Sequence, residues 1–154
     1  MTRLCCDVLK RLEGKTLATA ESCTGGGIGA ALTAIPGSSA VYKGGIISYT
    51  NAVKHNLLGV DYALLDEFGA VSAPVAQAMA AGARKAIGAD IAVSVTGLAG
   101  PGGDDYGNPV GRVYIGYSDE TAILSREFTF PGDRETVRAQ AVMEALKLIL
   151  ELNS

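Results

Sequence analysis

Histidine is almost missing from this chain. One imidazole, His55, serves 154 residues, so a mechanism that needs two is excluded by counting, as are most zinc sites. Three cysteines, Cys5, Cys6 and Cys23, form neither an even disulfide framework nor a CxxC knuckle; reduced thiols and no metal are the expectation. No apolar run approaches the roughly 20 residues that a membrane helix requires. The opening MTRLCCDVLKRLEG is charged and helix-like, without the apolar region of a signal peptide, which points to a cytoplasmic protein with no membrane partner. Basic surface is scarce too. Thirteen Lys and Arg are scattered among sixteen Asp and Glu, for a formal charge of -3, which argues against nucleic acid as a partner.

What is present is 48% apolar residues, enough for one core of ordinary proportions, and the expectation is a single domain over residues 1–154. Leu4, Val8, Leu9 and Leu12 fall at helical spacing and Gly14 closes that pattern. TLATAE alternates as a strand does and runs into Thr24-Gly25-Gly26-Gly27, after which Ile28, Ala31, Leu32 and Ile35 mark a helix face that Pro36-Gly37 ends. GGIISYT reads as a second strand, followed by Asn51 as cap of a short helix, AVKHNLLG. Ser72 caps a longer helix, APVAQAMAAGARKAIG, with Pro74 in its first turn, and IAVSVTG is the continuous apolar run of a strand buried on both faces. RVYIGYS and AILSREFTF alternate around Asp119-Glu120 as a hairpin, and Asp133 caps a final helix with an apolar stripe. Helices alternating with strands, closed by a hairpin, predict an α/β fold: three α/β/α layers on a mixed, mostly parallel sheet.

Ser22 stands where the first strand gives way to glycines. A serine hydroxyl attacks only when a base removes its proton and donors receive the resulting oxyanion. The free amides of a helix starting at Thr24–Gly27 would supply those donors. His55 has no acidic residue near it in sequence to orient it. Its neighbour Lys54 would sit in the first turn after Asn51, where the positive end of the helix dipole disfavours an ammonium, and partial burial would lower its pKa further. Such a lysine can act as a base, with Tyr49 sharing the proton. From local pattern alone a cap is the commoner role for a serine placed like Ser22, and a solvated side chain the commoner role for Lys54. Cys23 is a rival nucleophile by chemistry, with packing behind the turn as its plainer role.

Gly25-Gly26-Gly27-Ile28-Gly29-Ala30 also fits the dinucleotide fingerprint, a weak signal alone. The carboxylate that should follow about 20 positions on, to hold a ribose, is absent from Ser48-Tyr49-Thr50. No cofactor is therefore expected, and an oxidoreductase is disfavoured. The second glycine loop, Thr96-Gly97-Leu98-Ala99-Gly100-Pro101-Gly102-Gly103, leaves the carboxyl end of a buried strand, where open α/β sheets place ligands, and its amides suit an anion. It could equally be a plain connection. Ser39 adds a hydroxyl to the expected rim, and Arg134 either a phosphate cation or a solvated helix start.

These motifs, "TLATAESCTGG", "IPGSSAVYKGGIISYTNAVK", "FGAVSAPVAQAMAAGAR", "VSVTGLAGPGG", "PVGRVYIG" and "FPGDRETVR", resemble in order and spacing the C-terminal domain of the competence/damage-inducible protein CinA, also found alone as nicotinamide-nucleotide amidase. The resemblance implies hydrolysis of the carboxamide of nicotinamide mononucleotide to nicotinic acid mononucleotide and ammonia. It implies Ser22 as nucleophile, Tyr49 and Lys54 in proton transfer, the same three-layer fold, a homo-oligomer, and a small-molecule nucleotide as the partner. Substrate contacts are expected from Thr24, Gly25, Gly26, Ser39, Thr96, Gly97, Gly100, Gly103 and Arg134. The chain looks like the stand-alone form, and Arg112 stands where a small or neutral residue is expected. A noncatalytic nucleotide-binding module of the same fold is the alternative.

Overall fold

The structure, a computed structural model, describes all 154 residues. In chain order the elements are α1 (Thr2–Arg11), β1 (Leu17–Glu21), α2 (Gly27–Thr33), β2 (Tyr42–Ile47), α3 (Asn51–Leu58), α4 (Tyr62–Phe68), α5 (Ala73–Ile87), β3 (Ile91–Gly97), β4 (Arg112–Ser118), β5 (Ile123–Thr129) and α6 (Arg134–Leu152), with a 3-10 turn at Ser38–Ala40 before β2. The sheet order is β2-β1-β3-β4-β5. Strand β1 runs parallel to both β2 and β3, while β4 and β5 are antiparallel additions. This is the mixed three-layer architecture expected from the alternation of elements, except that α4 carries no signal strong enough to announce it beforehand.

Helices α1, α2 and α6 cover one face, burying Val8, Ile28, Leu32, Val142 and Leu146 among others. Helices α3, α4 and α5 cover the other, around Leu58, Leu65, Val75 and Met79. The second face is built from small side chains, Ala18, Ala20 and Ala92 on the strands and Ala83 on α5, so helix and sheet approach closely. The closest approach is helix to helix: a Cβ at Gly82 of α5 would lie 1.9 Å from the Leu58 carbonyl oxygen at the end of α3. Glycine is required there by space.

The two parallel connections set the location of the site. From β1 the chain leaves over the α2 face, and from β2 it leaves over the α3–α5 face. Adjacent strands whose connections part to opposite faces open a crevice at their carboxyl ends. Ser22 directly follows β1 there, and Lys54 follows β2.

Candidate active site

Side-chain alternation along β1 sorts two neighbouring polar residues to opposite layers. Glu21 turns toward α2. Its Oε1 accepts from Thr24 Oγ1 at 2.7 Å and from the Ile28 amide at 2.8 Å, and its Oε2 accepts from the Gly29 amide at 3.1 Å. A carboxylate only 2% exposed is thus bonded to the positive end of a helix, where its charge is favoured. Ser22 turns the other way, toward α3.

The turn between them is tight. The Gly25 amide donates to the Ser22 carbonyl and the Gly27 amide to the Thr24 carbonyl, each at 3.0 Å. Gly25 and Gly26 adopt φ of +59° and +100°, a region that disfavours any side chain. From α6, Arg138 donates through Nε to the Cys23 carbonyl at 3.0 Å and through Nη2 to the Thr24 carbonyl at 3.3 Å. The first-turn amides expected to receive an oxyanion are therefore largely committed: Gly25 and Gly27 to the turn, Ile28 and Gly29 to Glu21. The Cys23 and Thr24 amides are the ones next to Ser22 that have no acceptor in another residue. The same commitment removes the dinucleotide reading, because the N-terminus of α2 is closed by the protein's own carboxylate.

Lys54 rises from α3, which is capped by Thr50, whose Oγ1 accepts from the Val53 amide, rather than by Asn51. The lysine is 1% exposed, and Nζ donates to Ser22 Oγ at 3.0 Å and to the Ser48 carbonyl at 2.6 Å. Ser48 is itself held by its amide, which donates to the Glu21 carbonyl at 2.8 Å. Burial lowers the Lys54 pKa from 10.5 to about 8, partly opposed by Cys23. Desolvation, more than the helix dipole, is the cause. Burial also pushes the Cys23 thiol up to about 11, so at neutral pH it is a protonated thiol and a poor rival to Ser22.

These residues open on a cavity of about 670 Å³, within the range of small-ligand sites. Its walls include Ser22, Lys54, Tyr49, Thr96, Gly97, Gly100, Gly103 and Arg134, so eight residues separated by up to 112 positions in sequence meet at one place. Arg134, at the start of α6, donates to the Gly100 carbonyl at 2.8 Å and to the Tyr49 hydroxyl at 3.0 Å, which ties the glycine loop to the segment between β2 and α3. Thr96 donates to the Ala70 carbonyl at 2.8 Å. The outer part of the loop is pinned as well: Tyr106 Oη donates to the Asp66 carbonyl at 2.9 Å, and Asn108 Nδ2 to the Val71 carbonyl at 3.0 Å. It is a fixed wall rather than a plain connection.

Four expected contacts fall elsewhere. Gly25 and Gly26 shape the turn and are not on the cavity wall, and the Thr24 side chain is spent on Glu21. Ser39 precedes β2 and so lies at the opposite end of that strand, about 20 Å from the crevice at the usual rise per residue. Tyr49 reaches the cavity, but it is 59% exposed and its hydroxyl bonds to Arg134; it makes no hydrogen bond to Lys54 or Ser22, which removes the observation that a shared proton would need. His55 donates through Nδ1 to the Val60 carbonyl at 2.8 Å and stacks on Tyr62, outside the cavity. Arg112 pairs with Glu127 across the β4–β5 hairpin, also outside it. The reading from sequence missed Glu21, Arg138 and the carbonyl of Ser48. An acidic residue closing an otherwise apolar strand just before a helix start was the available sign for Glu21, and its four-residue spacing from Arg134 was the sign for Arg138.

Known proteins match this chain over nearly its whole length. The CinA C-terminal domain model matches residues 2–153. A nicotinamide-nucleotide amidohydrolase PncC of Pseudomonas putida is 47% identical over 146 residues, covering 95% of this chain and 91% of that protein. A CinA-like protein of Parasynechococcus marenigrum is 49% identical over 145 residues, but this chain spans only 34% of its length. The crystal structure of a competence-damaged protein (CinA) superfamily protein from Klebsiella pneumoniae superposes with a TM-score of 0.96 at 37% identity, covering 99% of this chain and 96% of that one. With nearly its whole length matched in both sequence and fold, the chain belongs to the CinA C-terminal domain family.

Proposed function

We propose that this protein is a nicotinamide-nucleotide amidohydrolase that works through a serine acyl-enzyme. The observation that carries the reading is the contact of 3.0 Å between the buried Lys54 amine and Ser22 Oγ at the floor of the cavity. A lysine with a pKa of about 8 has a substantial neutral fraction near physiological pH. In that form its nitrogen keeps an N–H on the Ser48 carbonyl and turns its lone pair to the serine proton. Ser22 Oγ then forms a bond to the carboxamide carbon, and the carbonyl electrons move onto oxygen. Collapse of the tetrahedral species expels ammonia, protonated by the Lys54 ammonium. Water, activated by the same amine, releases nicotinic acid mononucleotide and restores the serine.

The opposite wall fits the rest of the substrate. Arg134 and the amides of the Gly97–Gly103 loop offer a cation and backbone donors for a phosphate. The name of the Pseudomonas relative supports the same substrate.

The test is release of ammonia and nicotinic acid mononucleotide from nicotinamide mononucleotide by the purified protein, with hydroxylamine added to intercept an acyl-enzyme as the hydroxamate. Ser22→Ala should lose at least about a thousandfold in kcat, as removal of a nucleophile does elsewhere, and should form no hydroxamate. Turnover at the wild-type rate in that variant would rule out the serine.

A further inference from the structure

Resting on the serine reading above, we propose that Arg138 is a positioning residue for the oxyanion, acting through Cys23, whose carbonyl it holds. The Cys23 carbonyl accepts Arg138 Nε at 3.0 Å, and the Cys23 amide, directly after Ser22 on a residue of the cavity wall, has no acceptor in another residue. In sharp strand-to-helix turns that present a nucleophilic serine, the amide following the serine is an oxyanion donor. Here that role falls to Cys23, and Arg138 fixes the residue that carries it.

The arrangement around Thr24 is that of a part held from two layers. Glu21 fixes its hydroxyl from β1 at 2.7 Å, and Arg138 fixes its carbonyl from α6 at 3.3 Å. Two N–H groups of one planar guanidinium reach two successive carbonyls, which a lysine ammonium cannot match with the same rigidity. Arg138 is not on the cavity wall, so it takes no part in holding substrate. Arg134, one turn earlier on the same helix, does face the cavity. Helix α6 thus presents one arginine to the ligand and the next to the turn that carries the nucleophile. The guanidinium also adds positive charge behind the place where negative charge develops, at no cost of reorganisation during the reaction.

A group that acts only on the developing oxyanion changes kcat and leaves KM alone. The experiment compares wild type, Arg138→Met, Arg138→Lys, Arg138→Gln and Ser22→Ala for ammonia release from nicotinamide mononucleotide, with thermal melts and the Kd of nicotinic acid mononucleotide. Loss of a whole oxyanion donor costs roughly 100- to 1,000-fold, so weakening one should lower kcat of Arg138→Met by roughly 10- to 100-fold, with KM and product Kd within about twofold of wild type. Arg138→Lys, which keeps the charge, should lie between Met and wild type and above the neutral donor of Arg138→Gln. Should Arg138→Met not fold, the Lys and Gln variants decide: equal kcat in both at the wild-type level overturns the assignment. An unchanged kcat in Arg138→Met, or a loss confined to KM, overturns it too while Ser22→Ala remains inactive. Activity in Ser22→Ala would instead bring down the serine reading, and this one with it.

Discussion

Moving the pH through 8 should switch the reaction on. Lys54 loses its proton at about 8 instead of 10.5 because the folded chain withholds water from the ammonium. At pH 7 a base with that pKa is about one tenth neutral, whereas one at 10.5 would be about three parts in ten thousand neutral, so burial raises the competent population by roughly 300-fold. The logarithm of kcat/KM for nicotinamide mononucleotide should therefore climb with a slope near one from pH 6 and level off above about 8, measured as ammonia released in stopped samples across overlapping buffers. Folding stability carries the same signature with a definite sign. The folded pKa lies below the unfolded one, so between about 8 and 10.5 the unfolded chain binds the extra proton. The contribution of this group is complete above 10.5 and lost as the pH falls through 8, a difference of about 3 kcal/mol. Denaturant melts at pH 7.5 and pH 10 should show a rising component that disappears in Lys54→Met. A rate profile flat from pH 6 to 9, or a limb centred above 10, would refute the assignment of Lys54 as the base.

Two further substitutions test the scaffold that brings these groups together. In Glu21→Gln one oxygen remains to accept, while an NH2 group is set against the amides of α2, so one or two buried donors lose their acceptor; the cost should be roughly 1–4 kcal/mol, read as a melting point at least about 2 °C lower, and an unchanged melting point would contradict the role given to this carboxylate. Gly82→Ala drives a methyl group into the Leu58 carbonyl and must push α3 from α5; a loss of roughly 1–3 kcal/mol is expected, together with lower kcat, because Lys54 stands one turn from the displaced end. An unaltered melt and unaltered kcat would show that the two helices can separate without cost to the site.

How much of this was legible beforehand depends on how local each cause is. Strands β1 and β3, the hairpin of β4 and β5, and the helix starting at Arg134 follow from period, glycine and capping residues within a few positions; Asp133 does accept from the Thr136 amide as a cap should. The first helix stops at Arg11, ahead of Gly14, and Ser72 sits at the cap position of α5 while its hydroxyl donates to the Gly69 carbonyl instead. Such end effects are competitions between neighbouring partners of similar strength, and composition does not rank them.

The chain alone determined that a hydroxyl would stand at a strand-to-helix turn, that a lysine would follow the next parallel strand, and that a glycine loop would end a third, since each is a matter of residue order and backbone preference. Tertiary structure decided whether they meet and in what state: Ser22 and Lys54 face each other because β1 and β2 pair side by side and their connections part to opposite faces. It also decided which amides stay free, because Glu21 and Arg138 reach the turn from different layers. A hydrogen-bond donor can be counted from sequence, but its acceptor is chosen only when distant segments compete for it, and a pKa moves only when the whole fold removes the water.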